Sequence, residues 1–380
     1  MRPASLLIAA FGLIVPVPAS SAQSLDLMIG EYGLSIGDSR IVRGIRLNFR
    51  DRNMELVQGI NATIWVPYKE ARGGDVDGIA LGIPLTGARR IQGAAIGILG
   101  ASAEEDFRGL GIGGFGIGAG GDARGIMLGG FGVGAGGDVR GLTVGGFGAG
   151  AGGDIRGITI GGFGAGGGGD IEGLTVGGFG VGGGGNVRGV TIGGFGAGAG
   201  GDITGFTFGG FGAGAGGDIR GITIGGFGAG GGGNITGLTV GGFGAGAGSN
   251  LRGITIAGIG AGAGSEMRGL TISGIMAGSP RIRGIVLSGV MAGGHDVRAG
   301  IIAPAYFRLE SDDDGNGDLG EFRGVSISSF NHMRGVQRGL AIGLFNYAWE
   351  LEGVQIGLLN YARSNRPGLR LLPIFNKRWD

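Results

Sequence analysis

The chain has 380 residues, of which 103 are glycine, 9 proline and none cysteine, and its 30 Lys and Arg balance 29 Asp and Glu. The missing cysteines exclude disulfides, thiolate zinc sites, thiol nucleophiles and a lipid-anchored cysteine. The even charge argues against a nucleic-acid binder, which needs a concentrated basic patch, and with only Lys69 and Lys377 as lysines there is no Walker-type phosphate loop.

At the N-terminus, Arg2 precedes the apolar run LLIAAFGLIV, which is followed by Pro16, Pro18 and Ser20-Ser21-Ala22. Small residues just before Gln23 are what a signal peptidase reads, so residues 1–22 are expected to be a secretory signal. The run is too short to stay in a membrane as a helix, and no later stretch reaches the ~18 consecutive apolar residues of a transmembrane helix. The expected destination is the cell surface, outer membrane or periplasm of a Gram-negative-type bacterium.

Residues 23–108 read as an N-terminal cap followed by degenerate repeats, with VRGIRLNF at Gly44, VQGINATI at Gly59, VDGIALGI at Gly78 and IQGAAIGI at Gly93. Residues 109–284 are regular. A 16-residue unit starts at Gly109 and recurs without insertion to Gly269, reading G, L/I/V, T, V/I, G, G, F, G, A/V, G, A/G, G, G, D/N, I/V, R. Numbering these places 1 to 16, the unit beginning at Gly141 puts Thr143 at place 3, Phe147 at place 7 and Asp154 at place 14. Weaker copies follow at Gly284, Gly300, Gly324, Gly339, Gly353 and Gly368, so about 21 units cover nearly all of the chain after the signal.

Short alternations such as Leu-Thr-Val are β-favouring, and Gly-Gly-Asp/Asn is a turn signal. Helix is excluded by the period and by the ~1 kcal/mol that each glycine costs against alanine. The chain is therefore all-β, and two architectures remain. In a β-solenoid each 16-residue unit is a coil and like places stack ~4.8 Å apart in parallel ladders. In an outer-membrane β-barrel each unit is a strand and neighbours run antiparallel. A barrel alternates unlike ends, whereas the turns here run GGDAR, GGDVR, GGDIR, GGDIE with no 32-residue super-period. This favours the solenoid, with the barrel as the alternative.

For the solenoid, Leu142 and Val144 are expected to face Ala149 and Ala151 across a thin interior, with Gly145-Gly146 and Arg156-Gly157 as corners that shift the side-chain parity. The side on which the apolar Phe column, Phe115 to Phe243, lies is left open, with inward favoured for an apolar ring repeated nine times, and the Thr column, Thr143 to Thr271, is expected outward. Regular Thr ranks on a β-solenoid resemble those of ice-binding proteins, which usually carry two ranks as T-x-T; this chain has one. The Asp/Asn column at place 14 is read as turn residues bonding their own backbone. The Arg column at place 16 is read as solvated or interleaved with Asp, because like charges ~4.8 Å apart repel. Gly148, Gly150 and Gly153 spell G-x-G-x-x-G, but without the strand-turn-helix context a dinucleotide needs.

Residues 285–380 combine degenerate repeats, an acidic loop at 309–322 and a C-terminal cap. In the loop, Asp312, Asp314, Asn316, Gly317 and Asp318 match the first part of a Ca²⁺ loop, but its twelfth place is Arg323 instead of a bidentate Glu. These residues are a weak Ca²⁺ candidate, and no other cofactor is expected. His295 and His332 are the only histidines and form no ligand or triad spacing, so no enzymatic activity is expected.

The C-terminal segment GLAIGLFNYAWELEGVQIGLLNYARSNRPGLRLLPIFNKRW resembles a family of uncharacterised bacterial surface-repeat proteins built on G-[VL]-Q-[IV]-G-L-[LF]-N. The resemblance covers roughly residues 324–380; in the glycine-rich middle the Asn is replaced by Gly. It implies export and a cell-envelope location, and it carries no functional residue. The expected function is thus a non-enzymatic structural or adhesive envelope element. The alternatives are an outer-membrane barrel or a glycan- or ice-binding rod. Expected partners are envelope components or surface polysaccharide, not nucleic acid, and membrane association is left open.

Overall fold

The computed structural model describes residues 24–68, 73–311 and 319–379. The expected signal, residues 1–22, and the Ca²⁺-candidate positions Asp312, Asp314, Asn316 and Asp318 lie outside the described residues. The described chain is all-β, a solenoid of about 19 coils and not a barrel. At ~4.8 Å per coil the rod is about 90 Å long.

A regular coil has one long strand, such as Ile155–Gly161, and one short strand, such as Gly148–Ala151. Each stacks in parallel on its counterpart one coil away, with identical places paired: Thr143 on Thr159, Gly141 on Gly157, Ala149 on Ala165. A barrel would pair neighbours antiparallel. Backbone bonding continues through the corners, where the Phe147 N–H donates to the Phe131 carbonyl at 2.6 Å. Glycine entropy is therefore offset along the whole coil by the coil before it.

The corners differ from those expected. They fall at Gly146-Phe147 and at Gly152-Gly153-Asp154, while Arg156 and Gly157 lie inside the long strand. Gly157 has φ +122°, and a Cβ there would overlap the carbonyl oxygen of Gly141 in the neighbouring coil. The same holds at place 1 throughout the regular block, so glycine is obligatory there.

Antiparallel strands close both ends. Ser24–Ile29 folds back on Tyr32–Gly37, and Leu371–Lys377 folds back on Val354–Ala362. The last sequence unit, at Gly368, is thus a turn and a capping strand and not a coil, one reason the coils are fewer than the units. In the C-terminal coils Asn and Gln side chains point inward. Asn331, Asn346 and Asn360 form a buried ladder with side-chain bonds of 2.7 Å, and Gln355 donates to Gln337 at 3.0 Å.

The Asp/Asn column also behaves differently from the expectation. Asp138 Oδ1 accepts the backbone N–H of Asp154, one coil on, at 2.9 Å, and Asp170 accepts that of Asn186 at 2.7 Å. The second carboxylate oxygen pairs with Arg at place 16, as in Asp138–Arg140 at 3.0 Å, so the two charge columns interleave. The amide of the next coil, first, and the flanking side-chain donors hold the carboxyls of Asp138, Asp170 and Asp218 below their ordinary range. A depressed folded-state pKa gives stability that is present above the unfolded value near 4 and lost as pH falls through the folded one. Acid below about pH 4 should therefore weaken coil stacking. In thermal melts, the triple variant Asp138→Asn, Asp170→Asn, Asp218→Asn should lose part of that pH dependence. It should keep the ladder, because Asn186 already accepts the Asp202 N–H at 2.8 Å.

Candidate functional site

The inside of the rod is narrow. It is filled by Ile at place 15, Thr at place 3 and Ala at place 9, as in Ile155, Thr159 and Ala149. Places 15, 3, 5, 9 and 11 share odd parity and line the interior; Gly at place 1, with its positive φ, and Phe at place 7, on a corner, leave that side. Two expected orientations are thereby corrected, and the open one, that of the Phe column, is decided against the favoured side. The Thr column is buried, at 1% exposure from Thr143 to Thr239. The Leu/Ile/Val residues at places 2 and 4 face outward, with Ile158, Ile160, Ile222 and Ile254 among the exposed ones. The Phe column also faces outward, 46–59% exposed.

The reason is volume. Coils this thin, with Ile already at place 15, have room for a small β-branched side chain at place 3 and not for two further rows of Leu and Ile. The hydroxyls of Thr159, Thr175, Thr191, Thr207 and Thr223 have no protein partner within hydrogen-bond reach. A buried unpaired hydroxyl costs about 1–3 kcal/mol, and replacing it by an apolar group of the same shape is neutral or stabilising. Thr175→Val and Thr191→Val should therefore raise the unfolding free energy, by about 1 kcal/mol each, in denaturant titration. A loss of stability would mean that the hydroxyls are bonded. Burial also leaves the Thr rank no surface with which to touch ice.

The outer surface has three regions. The long strands present Arg at place 16 and then two aliphatic columns at places 2 and 4. The corner carries the Phe column, whose rings from Phe115 to Phe243 stack at 4.2–5.4 Å between centroids and within 16° of parallel. The short strands present only glycine at places 8 and 10, forming an apolar trough walled by Phe115, Phe131, Phe147 and Phe163. Charge is confined to the edge at places 14 and 16, where Arg124–Asp122, Arg140–Asp138 and Arg156–Asp154 pair at 2.8–3.1 Å. That pairing neutralises much of what would otherwise be a cationic stripe for an anionic polymer.

Among the described residues, no three His, Asp or Glu side chains come together to hold a metal. His332 lies against Phe330 and Tyr347, with the Tyr306 hydroxyl 2.7 Å from Nδ1, and burial lowers its pKa. His295 is not part of this aromatic set. No described helix is long and apolar enough to cross a membrane. Comparison of the chain with models of known protein families, with curated proteins and with solved structures finds no match.

The outward apolar columns are the feature that sequence reasoning missed. One signal for them was present: the Ile/Val/Leu row at place 15, from Val139 to Leu251, already supplies a row for the interior, at the same parity as Ala149 and Thr143.

Proposed function

We propose that the chain is a non-enzymatic, exported rod, a structural or adhesive element of a Gram-negative-type envelope, which works by laying its apolar long-strand face on lipid. The observation that supports this reading is the distribution of side chains on the outer surface. Aliphatic columns run the length of the regular block, and charge keeps to one edge. Eleven coils at ~4.8 Å and about four residues at ~3.3 Å give that face on the order of 700 Å². Exposed patches on soluble monomers are usually a few hundred Å². The edge Arg residues suit an interfacial position, because their stems can lie along apolar surface while the charged ends stay in water.

The test is flotation of the purified protein with phosphatidylethanolamine/phosphatidylglycerol vesicles. The protein should rise with the vesicles and stay bound at about 1 M salt, where exposed charges are screened. The variant Ile158→Thr, Ile160→Thr, Ile222→Thr, Ile224→Thr should keep its β spectrum and stay at the bottom. A wild-type protein that does not float, and is monodisperse without detergent, would remove lipid from the reading.

A further inference from the structure

The trough on the short-strand side has a shape of its own. Its high wall is the stacked Phe column, and its opposite rim is a corner of glycine, such as Gly152-Gly153, so that wall is low. Large side chains close it at both ends, Leu85 and Pro67 at one and Met276 and Met291, in register with Gly260, at the other. Its floor glycines differ from those at place 1. At place 8, from Gly132 to Gly244, a Cβ would rest 3.4–3.8 Å from the neighbouring coil, an ordinary van der Waals contact, with no positive φ. Place 10 is mixed: Gly118, Gly134 and Gly182 have open space in front of them, whereas a Cβ at Gly150, Gly166, Gly198, Gly214 or Gly230 would come within 2.7–3.3 Å of the next coil's carbonyl oxygen. The coil does not require glycine at place 8, and glycine weakens a strand interior unless another backbone approaches closely.

We propose that this Phe-walled trough is the seam of a homodimer in which two copies lie side by side and parallel. A twofold axis along the rod places the Phe wall of each copy over the low glycine rim of the other, so the face is complementary to itself. The second copy has the same rise per coil, which keeps walls and floors in step over the whole length. End-to-end growth is blocked by the capping strands at both ends, which leaves the sides for association. A four-residue strand is ~13 Å wide and ten coils are ~48 Å long, so the floor alone covers about 600 Å² per copy. With the Phe edges added, this approaches the ~800 Å² per partner of a stable interface.

A rigid partner is favoured over the other occupants. Fluid acyl chains would wet a floor of Ala or Val equally well, so they give no use to a missing Cβ. A sugar ring needs an open aromatic face and polar partners. The stacked Phe rings turn their faces to each other, and the middle of the trough offers no polar side chain. The seam also leaves the long-strand face free for the lipid contact proposed above.

The experiment is sedimentation of the purified protein, in buffer and on vesicles, with the variant Gly148→Thr, Gly180→Thr, Gly212→Thr beside it. Threonine favours strands, so the fold should be kept and the melting temperature of the monomer unchanged or raised. Dimerisation should weaken at least ~30-fold, about 2 kcal/mol. Because the chain has no cysteine, single Gly118→Cys and Gly182→Cys variants add a geometric readout. A short bismaleimide should join two copies at both positions. Joining at Gly182 alone, near mid-trough, would overturn the parallel arrangement. A wild type that is monomeric at about 50 μM, or a triple variant that dimerises as before, would overturn the seam. Loss of vesicle flotation by a triple variant whose wild type is monomeric would assign the trough to lipid.

Discussion

Alanine at Gly173 is expected to destabilise the middle of the rod by about 3–5 kcal/mol. Gly173 has φ +121°, and the added Cβ would overlap the Gly157 carbonyl oxygen, a backbone atom that cannot move without opening the ladder. Stability along a solenoid is a sum of coil and nearest-neighbour terms, so the damage should be local. Calorimetry of the wild type should show one main transition, and Gly173→Ala should split it into two, one for each side of the break. Gly180→Ala is the control, because its Cβ would sit 3.6 Å from the Gly196 carbonyl. At submicromolar concentration, where the proposed seam does not contribute, it should be neutral or stabilising by up to ~1 kcal/mol. Equal losses at the two sites would mean that place 1 is not strained as described.

Arg46→Met is expected to produce the second large effect, about 3–5 kcal/mol, felt at the N-terminal coils. Arg46 is fully buried and occupies the column that Thr143 occupies further along. Its guanidinium donates to the Ser39 carbonyl at 3.0 Å, Asn61 Oδ1 at 2.9 Å, Asp38 Oδ1 at 2.8 Å and the buried Asp51. Methionine would fill most of the volume but leave Asp51 buried beside Asn48 and Asn61 without its cation. Hydrogen exchange should show strands Ile41–Asn48 and Leu56–Thr63 losing protection while the regular block keeps it. The double variant Arg46→Met, Asp51→Leu removes both charges and should recover much of the loss, because replacing a whole buried pair by apolar groups is often neutral. No recovery would place the stabilisation in packing and not in charge.

The architecture was legible because it is periodic. Sixteen residues without insertion, turns that do not alternate and β-favouring triplets favour a parallel solenoid over a barrel. Hidden was the side on which each column lies. Reading Leu142 and Val144 as core followed the rule that apolar residues are inside, and that rule runs one way only: much of any protein surface is apolar. Thr143 read as surface for the same reason. The Asp column shows a subtler limit: a turn residue can bond its own backbone or the next coil's, and only the stacking distance selects the second.

By itself, then, the sequence determined the period, favoured the parallel ladders and offered the interleaving of Asp with Arg as one of two readings of the charge columns. These follow from local chemistry repeated at a fixed interval. The tertiary structure alone decided that Thr143 lies inside and that Phe147 and Ile158 lie outside. That choice depends on how much volume a coil encloses once Ile155 and Ala149 have filled it, a property of the closed cross-section that no single unit of the sequence contains.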